Sequence, residues 1–242
     1  MTPNWLKRNE LLLGQEAIKK LQASRVLLAG LGGVGSWTAE FLVRSGIGNL
    51  TIVDSDIVDE TNINRQLPAT HETIGLLKTD IMKERLYSIN PQLNLMIVCK
   101  YINEETNTEI LQPDYDVIID AIDTLSPKVW FLNFALQKGC PVISSMGSGA
   151  RLDPTKVVVG DISETQNCSL AKAVRKRLRR MNVTTPFTAV YSTENQINEA
   201  VVECEGRNKK SVIGTAVFVP AAFACAISAQ TVKMLIENNN QR

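Results

Sequence analysis

Arg25-Val26-Leu27-Leu28-Ala29-Gly30-Leu31-Gly32-Gly33-Val34-Gly35-Ser36 is the stretch on which the reading of this chain turns. The apolar run 26–29 has the length and makeup of a buried strand. It leads into Gly30-x-Gly32-x-x-Gly35, and the stretch 37–44 that follows suits a helix. Strand, glycine turn, helix is the context in which this spacing points to a nucleotide phosphate site. Gly30 permits the turn out of the strand, Gly32 and Gly33 leave backbone room for a phosphate, and Gly35 lets the helix lie close to the strand. Backbone N–H groups at the helix start, with the positive end of its dipole, then face an anion. A second apolar run, 50–53, ends in Asp54. An acid about 20 residues past the glycines is placed to accept from ribose hydroxyls.

Outward from this unit, strands and helices alternate. The polar stretch 54–66 reads as a loop at the carboxyl end of the second strand. Helix 75–87, carrying Lys78 in its first turns, precedes strand 95–101. Strand 116–120, helix 126–138 and strand 141–145 follow. This alternation predicts an α/β fold of Rossmann-like, doubly wound type, with a mainly parallel sheet and helices on both faces. Ahead of it, 5–21 repeats its apolar residues at helical spacing. After Gly147 the pattern becomes mixed, with strands 156–162 and 187–193 around a helix 169–181. Weakly patterned 194–211 reads as a mobile loop, 214–219 as a last strand, and 221–236 as a helix with Pro220 in its first turn. The tail 238–242 reads as frayed. The whole of 1–242 is read as one domain: a helical start (1–24), a nucleotide-binding half (25–147) and a second half (148–242).

Composition narrows the function classes. Net charge is +1, so any basic surface must be local. Residues 1–7 contain no apolar signal region, which predicts a cytoplasmic protein. The uncharged run 212–232 is long enough for a bilayer, but Gly214, Pro220, Ser228 and Gln230 favour a core helix, and no membrane partner is expected. None of the five cysteines forms a Cys-x-x-Cys pair, which argues against zinc and for free thiols. Cys99 and Cys225 have apolar neighbours and read as core residues.

Glycines and a ribose acid alone would fit an NAD-dependent oxidoreductase. Arg65 and Lys78 would then be idle. As two cations on the same edge they suit the triphosphate tail of ATP. Asp123, at the end of the fourth strand, can hold Mg²⁺ between phosphates; Asp54 and Asp56 complete the row of strand-end acids. Asp120 reads either as an orienter of its neighbours or as a turn cap. In 169–181 a second signal appears. At about 100° per residue, Leu170, Ala171, Val174, Leu178 and Met181 share one face, and Lys172, Arg175, Lys176, Arg179 and Arg180 the opposite one. Arg177 lies near the border. No acid interrupts the basic face, which marks it for a polyanion. Arg207, Lys209 and Lys210 could extend it.

Taken together, Gly30-Leu31-Gly32-Gly33-Val34-Gly35-Ser36, Asp54-x-Asp56, Asn62-x-Asn64-Arg65-Gln66, Lys78 and Asp120-Ala121-Ile122-Asp123 resemble the adenylating domain of the E1-like, ThiF/MoeB superfamily. Arg8-x-Glu10-Leu11-Leu12-Leu13-Gly14, Ser126-Pro127-Lys128 and Leu170-Ala171-Lys172 carry a closer resemblance to its tRNA-modifying branch. The resemblance implies that Asp54 binds ribose, Arg65 and Lys78 the phosphates and Asp123 the Mg²⁺. It also implies that Asn62 and Gln66 position the tail, and that Arg8 either reaches the partner's site in a homodimer or is a helix-surface charge. It implies ATP-dependent adenylation of the threonyl carboxylate of N6-threonylcarbamoyladenosine in tRNA, then cyclisation, with the basic helix gripping the tRNA. A sulfur- or electron-transfer protein is a further partner of such enzymes. The alternative is activation of a carrier protein's C-terminal carboxylate. Sulfur-carrier activators have two Cys-x-x-Cys pairs, which this chain lacks. Ubiquitin-type activators need a thioester cysteine, for which only Cys168 and Cys204 come into question.

Overall fold

The computed structural model describes residues 2–139, 141–203 and 211–237. Two short helices, α1 (Lys7–Leu13) and α2 (Gln15–Ala23), open the chain. The expected single helix over 5–21 is broken at Gly14, whose φ of +87° no helix accommodates. Then β1 (Arg25–Ala29), α3 (Gly35–Arg44), β2 (Asn49–Val53), α4 (Lys78–Ile89) and β3 (Asn94–Val98) follow. Next come α5 (Glu104–Ile110), β4 (Val117–Asp120), α6 (Leu125–Gln137) and β5 (Val142–Ser145). The second half contains β6 (Val157–Asp161), α7 (Ser169–Arg180), β7 (Thr188–Ser192), β8 (Val201–Glu203), β9 (Ser211–Ile213) and α8 (Phe218–Glu237).

Seven strands form one sheet in the order β3-β2-β1-β4-β5-β7-β6. All neighbours are parallel except β6, which runs antiparallel to β7. β1 lies between β2 and β4, with Val26 opposite both Leu50 and Val117. The chain therefore leaves the carboxyl ends of β1 and β4 toward opposite faces. The crevice between those two exits is where such sheets bind ligands. One core packs α2, α3, α4 and α8 on one face, around Leu28, Leu42, Ile52, Met82 and Phe223. The other packs α5, α6 and α7 around Leu27, Ile118, Phe131 and Val174. Full burial of each such side chain contributes roughly 1.5–3 kcal/mol relative to exposure.

Several expectations are corrected by this arrangement. Residues 214–219 do not form a last strand: α8 starts at Phe218, and β9 ends at Ile213. The stretch 194–211 is not one loop, since Val201–Glu203 pairs with Ser211–Ile213 as a two-stranded ribbon. Arg207, Lys209, Lys210 and Cys204 lie outside the described residues, as does the tail 238–242. Cys99 and Cys225 are exposed rather than in the core, whereas Cys168 is buried. Helix α5 has little apolar pattern but a strong local start. Asn103 accepts from the Thr106 amide and the Thr106 hydroxyl accepts from the Asn103 amide, a reciprocal cap. α8 is long and apolar enough to cross a membrane, with 44% of its apolar window buried in the protein. Its Val219, Phe223, Ala224 and Ile227 are completely covered by the first core.

Candidate active site

The glycine turn is built by close backbone contact. Gly30 has φ +93°, and a Cβ there would lie 2.8 Å from the Ala121 carbonyl oxygen, on the turn leaving β4. A Cβ at Gly35 would sit 1.8 Å from the Gly30 oxygen, so any other residue would push α3 off the turn. At Gly32 the same construction meets nothing within 4 Å. The turn is thus clamped at both ends and open in the middle, the shape that admits a phosphate to backbone N–H groups.

Asp54 closes the turn from β2. Its Oδ2 accepts from the Leu31 amide at 2.6 Å and its Oδ1 from the Asp56 amide at 2.8 Å. Each oxygen keeps a second lone pair for a hydroxyl. Burial pushes the Asp54 carboxyl above the ordinary aspartate range, and Lys78 only partly offsets this. Lys78 is the first residue of α4, and its side chain is only 5% exposed. Its Nζ lies 3.0 Å from Asp56 Oδ2, while Asp56 itself is largely in solvent. A buried ammonium beside an exposed carboxylate is poorly screened on its own side and free to exchange one anionic partner for another.

Arg65 is reached through α3. Trp37 Nε1 donates to the Arg65 carbonyl at 3.2 Å, and the Leu67 amide donates to Ser36 Oγ at 3.1 Å. The Ser36 hydroxyl in turn donates to the Gly32 carbonyl. One helix start therefore fixes both the glycine turn and the backbone around Arg65. The Arg65 stem lies over Gly33, its Cγ 3.4 Å from where a Cβ would be. Nη1 donates to Thr61 O and Asn64 Oδ1, each at 2.8 Å. Asn62 Oδ1 accepts from the Asp59 amide in a capping box, so its acceptor holds this loop's shape. Gln66 keeps a buried Oε1 with no hydrogen-bond partner among the described residues. Trp37 had no sequence signal as a site residue; only the long-range bond reveals it.

Asp123 follows β4 and is exposed, with Thr124 Oγ1 donating to it at 3.1 Å. Among the described residues no three His, Cys, Asp or Glu side chains gather into a metal cage. A single carboxylate just past the end of β4 still fits Mg²⁺, which commonly takes one or two carboxylates plus substrate phosphates. Arg8 is not brought to this edge in its own chain. Asn9 donates to the Arg44 carbonyl, so α1 lies at the far end of α3 from the glycine turn. Ten helical residues separate the two by roughly 15 Å.

The second half walls the other side of the edge. Asn64 Nδ2 donates to the Thr215 carbonyl and the Ala150 amide to the Gly214 carbonyl, both at 2.8 Å. Residues 214–215 thereby bridge the Arg65 loop and the loop after β5. α7 buries Ala171, Val174 and Leu178, as its apolar spacing implies, while Leu170 and Met181 are half-covered. Lys172, Lys176, Arg179 and Arg180 are exposed. Arg175 departs from the basic stripe: it turns inward to the Ile162 and Thr165 carbonyls and the Thr165 hydroxyl. Arg177 Nη1 donates to Ser126 Oγ at 2.8 Å, three residues past Asp123. Cys168 caps α7 through the Ala171 amide and packs against Gly147. Both ends of the helix thus touch loops at the carboxyl edge of the sheet. An open hollow of about 460 Å³ by Asp161, Phe187 and Gln230 lies at the β6 margin and includes none of the expected site residues.

A doubly wound sheet with a clamped glycine turn, a ribose-type acid and two cations at its switch point defines a nucleotide-binding enzyme of the Rossmann-like class. The chain belongs to the ThiF family, whose model matches residues 6–242. It is 40% identical over 190 residues to tRNA threonylcarbamoyladenosine dehydratase of Bacillus subtilis (strain 168), covering 78% of this chain and 75% of that protein. It is 34% identical over 236 residues to the protein of the same name in Haemophilus influenzae, covering 93% and 90%. Among solved structures, the E. coli tRNA N6-threonylcarbamoyladenosine dehydratase TcdA in complex with ATP superposes with a TM-score of 0.88 at 29% identity, covering 97% of this chain and 96% of that one.

Proposed function

We propose that this protein is an ATP-dependent enzyme that dehydrates N6-threonylcarbamoyladenosine in tRNA to its cyclic form. The observation that carries the reading is the nearly end-to-end match to dehydratases of that name. The nucleotide edge built by Gly30, Asp54, Arg65 and Lys78 supports it with the chemistry such a reaction needs.

The reaction has two steps. A threonyl carboxylate oxygen attacks the α-phosphorus of ATP, and pyrophosphate leaves. A neighbouring group of the same substrate then attacks the acyl carbon, and AMP leaves. Because the nucleophile is already attached, its effective molarity is of the order of 10⁵ M or more. No protein thioester is needed. What the chain supplies is binding and charge stabilisation. Asp54 holds the ribose, the turn 30–35 and Lys78 and Arg65 hold the phosphates, and Asn62 and Gln66 help to position the tail, Asn62 through the loop it caps and Gln66 through the Oε1 that has no partner among the described residues. Asp123 would hold Mg²⁺, which when bound neutralises phosphate charge.

Lys172, Lys176, Arg179 and Arg180 are assigned to the tRNA backbone, with Arg175 serving to hold the helix itself. A homodimer belongs to the same proposal. Leu11 and Leu12 on α1 are 87% and 83% exposed beside Arg8, an apolar face that a second copy would cover. Arg8 would then act on the partner's phosphates. A cytoplasmic location fits the exposed thiols of Cys99 and Cys225.

The test is to incubate the protein with ATP, Mg²⁺ and total tRNA and to weigh the nucleosides. Loss of one water from the modified adenosine, with AMP and pyrophosphate formed in equal amounts, is the expected result. ATP–pyrophosphate exchange that needs a carrier protein and ignores tRNA would overturn it. For the trans role, Arg8→Ala and Asp123→Ala homodimers should both be inactive. Refolded mixtures should regain up to half the activity per dimer; no recovery would remove Arg8 from the partner's site.

A further inference from the structure

Asp120 and Lys128 form an ion pair with no exposure on either side chain, Nζ to Oδ2 2.6 Å. Neither residue is accessible to solvent. Asp120 ends β4, and Lys128 sits one turn into α6, so the pair spans the turn that carries Asp123. Its other bonds converge on one residue. The Ile122 amide donates to Asp120 Oδ1 at 3.0 Å, and Lys128 Nζ donates to the Ile122 carbonyl at 3.0 Å. Both backbone groups of the residue preceding Asp123 are therefore held by the pair. The carbonyl held by Lys128 belongs to the peptide that joins Ile122 to Asp123. Ser144 Oγ, from β5, donates to Asp120 Oδ2 at 2.6 Å and anchors the carboxylate from behind. Just upstream, the Ala121 amide donates to the Ala29 carbonyl, and the Ala121 oxygen lies against Gly30. The glycine turn and the Asp123 turn are thus mutually referenced through residues 120–122.

Buried ion pairs are a poor source of stability, because desolvation cancels most of the attraction and apolar residues of similar volume do as well. A core position would be filled more simply by a methionine. We propose that Asp120 and Lys128 are positioning residues that set the Ile122–Asp123 peptide, and through it the direction in which the Asp123 carboxylate meets Mg²⁺ and the phosphates. This rests on the reading of Asp123 given above. Displacement of a reacting or stabilising group by about 1 Å can cost 10²-fold in rate, so a turn held at both backbone groups of one residue has a large lever.

The double variant Asp120→Asn/Lys128→Met keeps volume, removes both charges and leaves the Ile122 carbonyl unheld. It is expected to unfold within a few degrees of wild type. Pyrophosphate release from ATP with tRNA should fall about 10²-fold in kcat, with KM for ATP changed less than about 3-fold. In calorimetry without tRNA, the Mg²⁺ concentration giving half-maximal ATP binding should rise by about 5-fold or more. Ser144→Ala is the milder variant and removes only the rear anchor. It should shift kcat and the Mg²⁺ midpoint the same way by about 3-fold. A purely structural pair would lower the melting temperature and leave kcat per folded molecule and the midpoint unchanged. That outcome in the double variant, or in Ser144→Ala should the double variant not fold, overturns the proposal. If wild type itself shows no Mg²⁺ dependence of ATP binding, the assignment of Asp123 fails instead.

Discussion

Two pairs of cations, one from each half of this molecule, meet different fates. In the nucleotide-binding half, Lys78 is buried, pairs with the largely exposed Asp56 and lies near Asp54, and Arg65 bonds its own loop through one nitrogen. In the second half, Arg151 is 2% exposed and donates to the carbonyls of Gly147, Gly149, Asn167 and Glu194. Arg175 similarly closes on Ile162 and Thr165. Helix start and strand end hold the first pair in place by backbone geometry, so their charges remain available to a ligand. The second pair replaces absent secondary structure as the fastener of loops. An arginine is thus a ligand group or a structural tie according to whether the fold saturates its fork with carbonyls.

The largest effects test the first half. Asp123→Ala should abolish adenylation without unfolding the chain, since the residue is exposed beyond β4. Arg65→Ala and Lys78→Ala should each lower turnover by roughly 10² to 10³, the cost of one preorganised donor. Pyrophosphate release and circular dichroism together check this. Near-normal turnover in all three variants would erase the contrast between the halves.

Arg151→Met tests the opposite pole. It leaves up to four carbonyls without their donor in a buried place, and about 1–3 kcal/mol of stability should be lost for each that water cannot reach. Thermal unfolding should shift down by many degrees, while kcat of the folded fraction falls far less than in Lys78→Ala. Abolished catalysis at an unchanged melting temperature would make Arg151 a ligand group and break the comparison.

How far the sequence could be read follows the same division. The glycine turn, the strand-end acids and the order of the strands through β5 were legible because each is fixed by residues a few positions apart, whereas α5 (Glu104–Ile110), which lacks an apolar stripe, was not read. Gly30 and Gly35 are required by contacts of local backbone, and the apolar runs of β1, β2 and β4 are too short for helices. What escaped was settled at a distance. The ribbon Val201–Glu203 with Ser211–Ile213 has strands of only three residues, too short for an alternating pattern to show which partner each pairs with. The inward turn of Arg175 depends on Thr165, ten residues away, which a helical wheel does not contain. The hold of Trp37 on the Arg65 carbonyl spans 28 residues.

Arg175 accordingly splits the basic helix into two experiments. Lys176→Glu, Arg179→Glu and Arg180→Glu combined should weaken tRNA binding by at least ten-fold at moderate salt. The log–log salt slope should fall by roughly one unit for each phosphate that the helix no longer neutralises. ATP affinity should not change. Arg175→Ala should instead lower stability and leave the salt slope alone. If Arg175→Ala flattens the slope and the triple variant does not, the inward bonds give way to RNA and the assignment within the stripe reverses.

The smallest effect is a pH dependence carried by one carboxylate. Asp54 is buried by the glycine turn, and that desolvation raises its pKa despite Lys78 and two backbone donors. Ionising it in the fold therefore costs more than in the unfolded chain, where aspartate titrates near pH 3.9. Its contribution to stability is full below that pH and is lost as pH rises through the raised folded value. Bound ribose acts in the opposite direction, because its hydroxyls donate to the charged form. ATP affinity should rise over the same interval in which unliganded stability declines. Asp54→Asn removes the titration, so relative to this variant wild type should show two curves of opposite slope, one from chemical denaturation and one from ATP calorimetry. Both should bend above the ordinary range of aspartate titration. Parallel curves for wild type and variant would show that Asp54 does not ionise there, and that the ribose is held by another group.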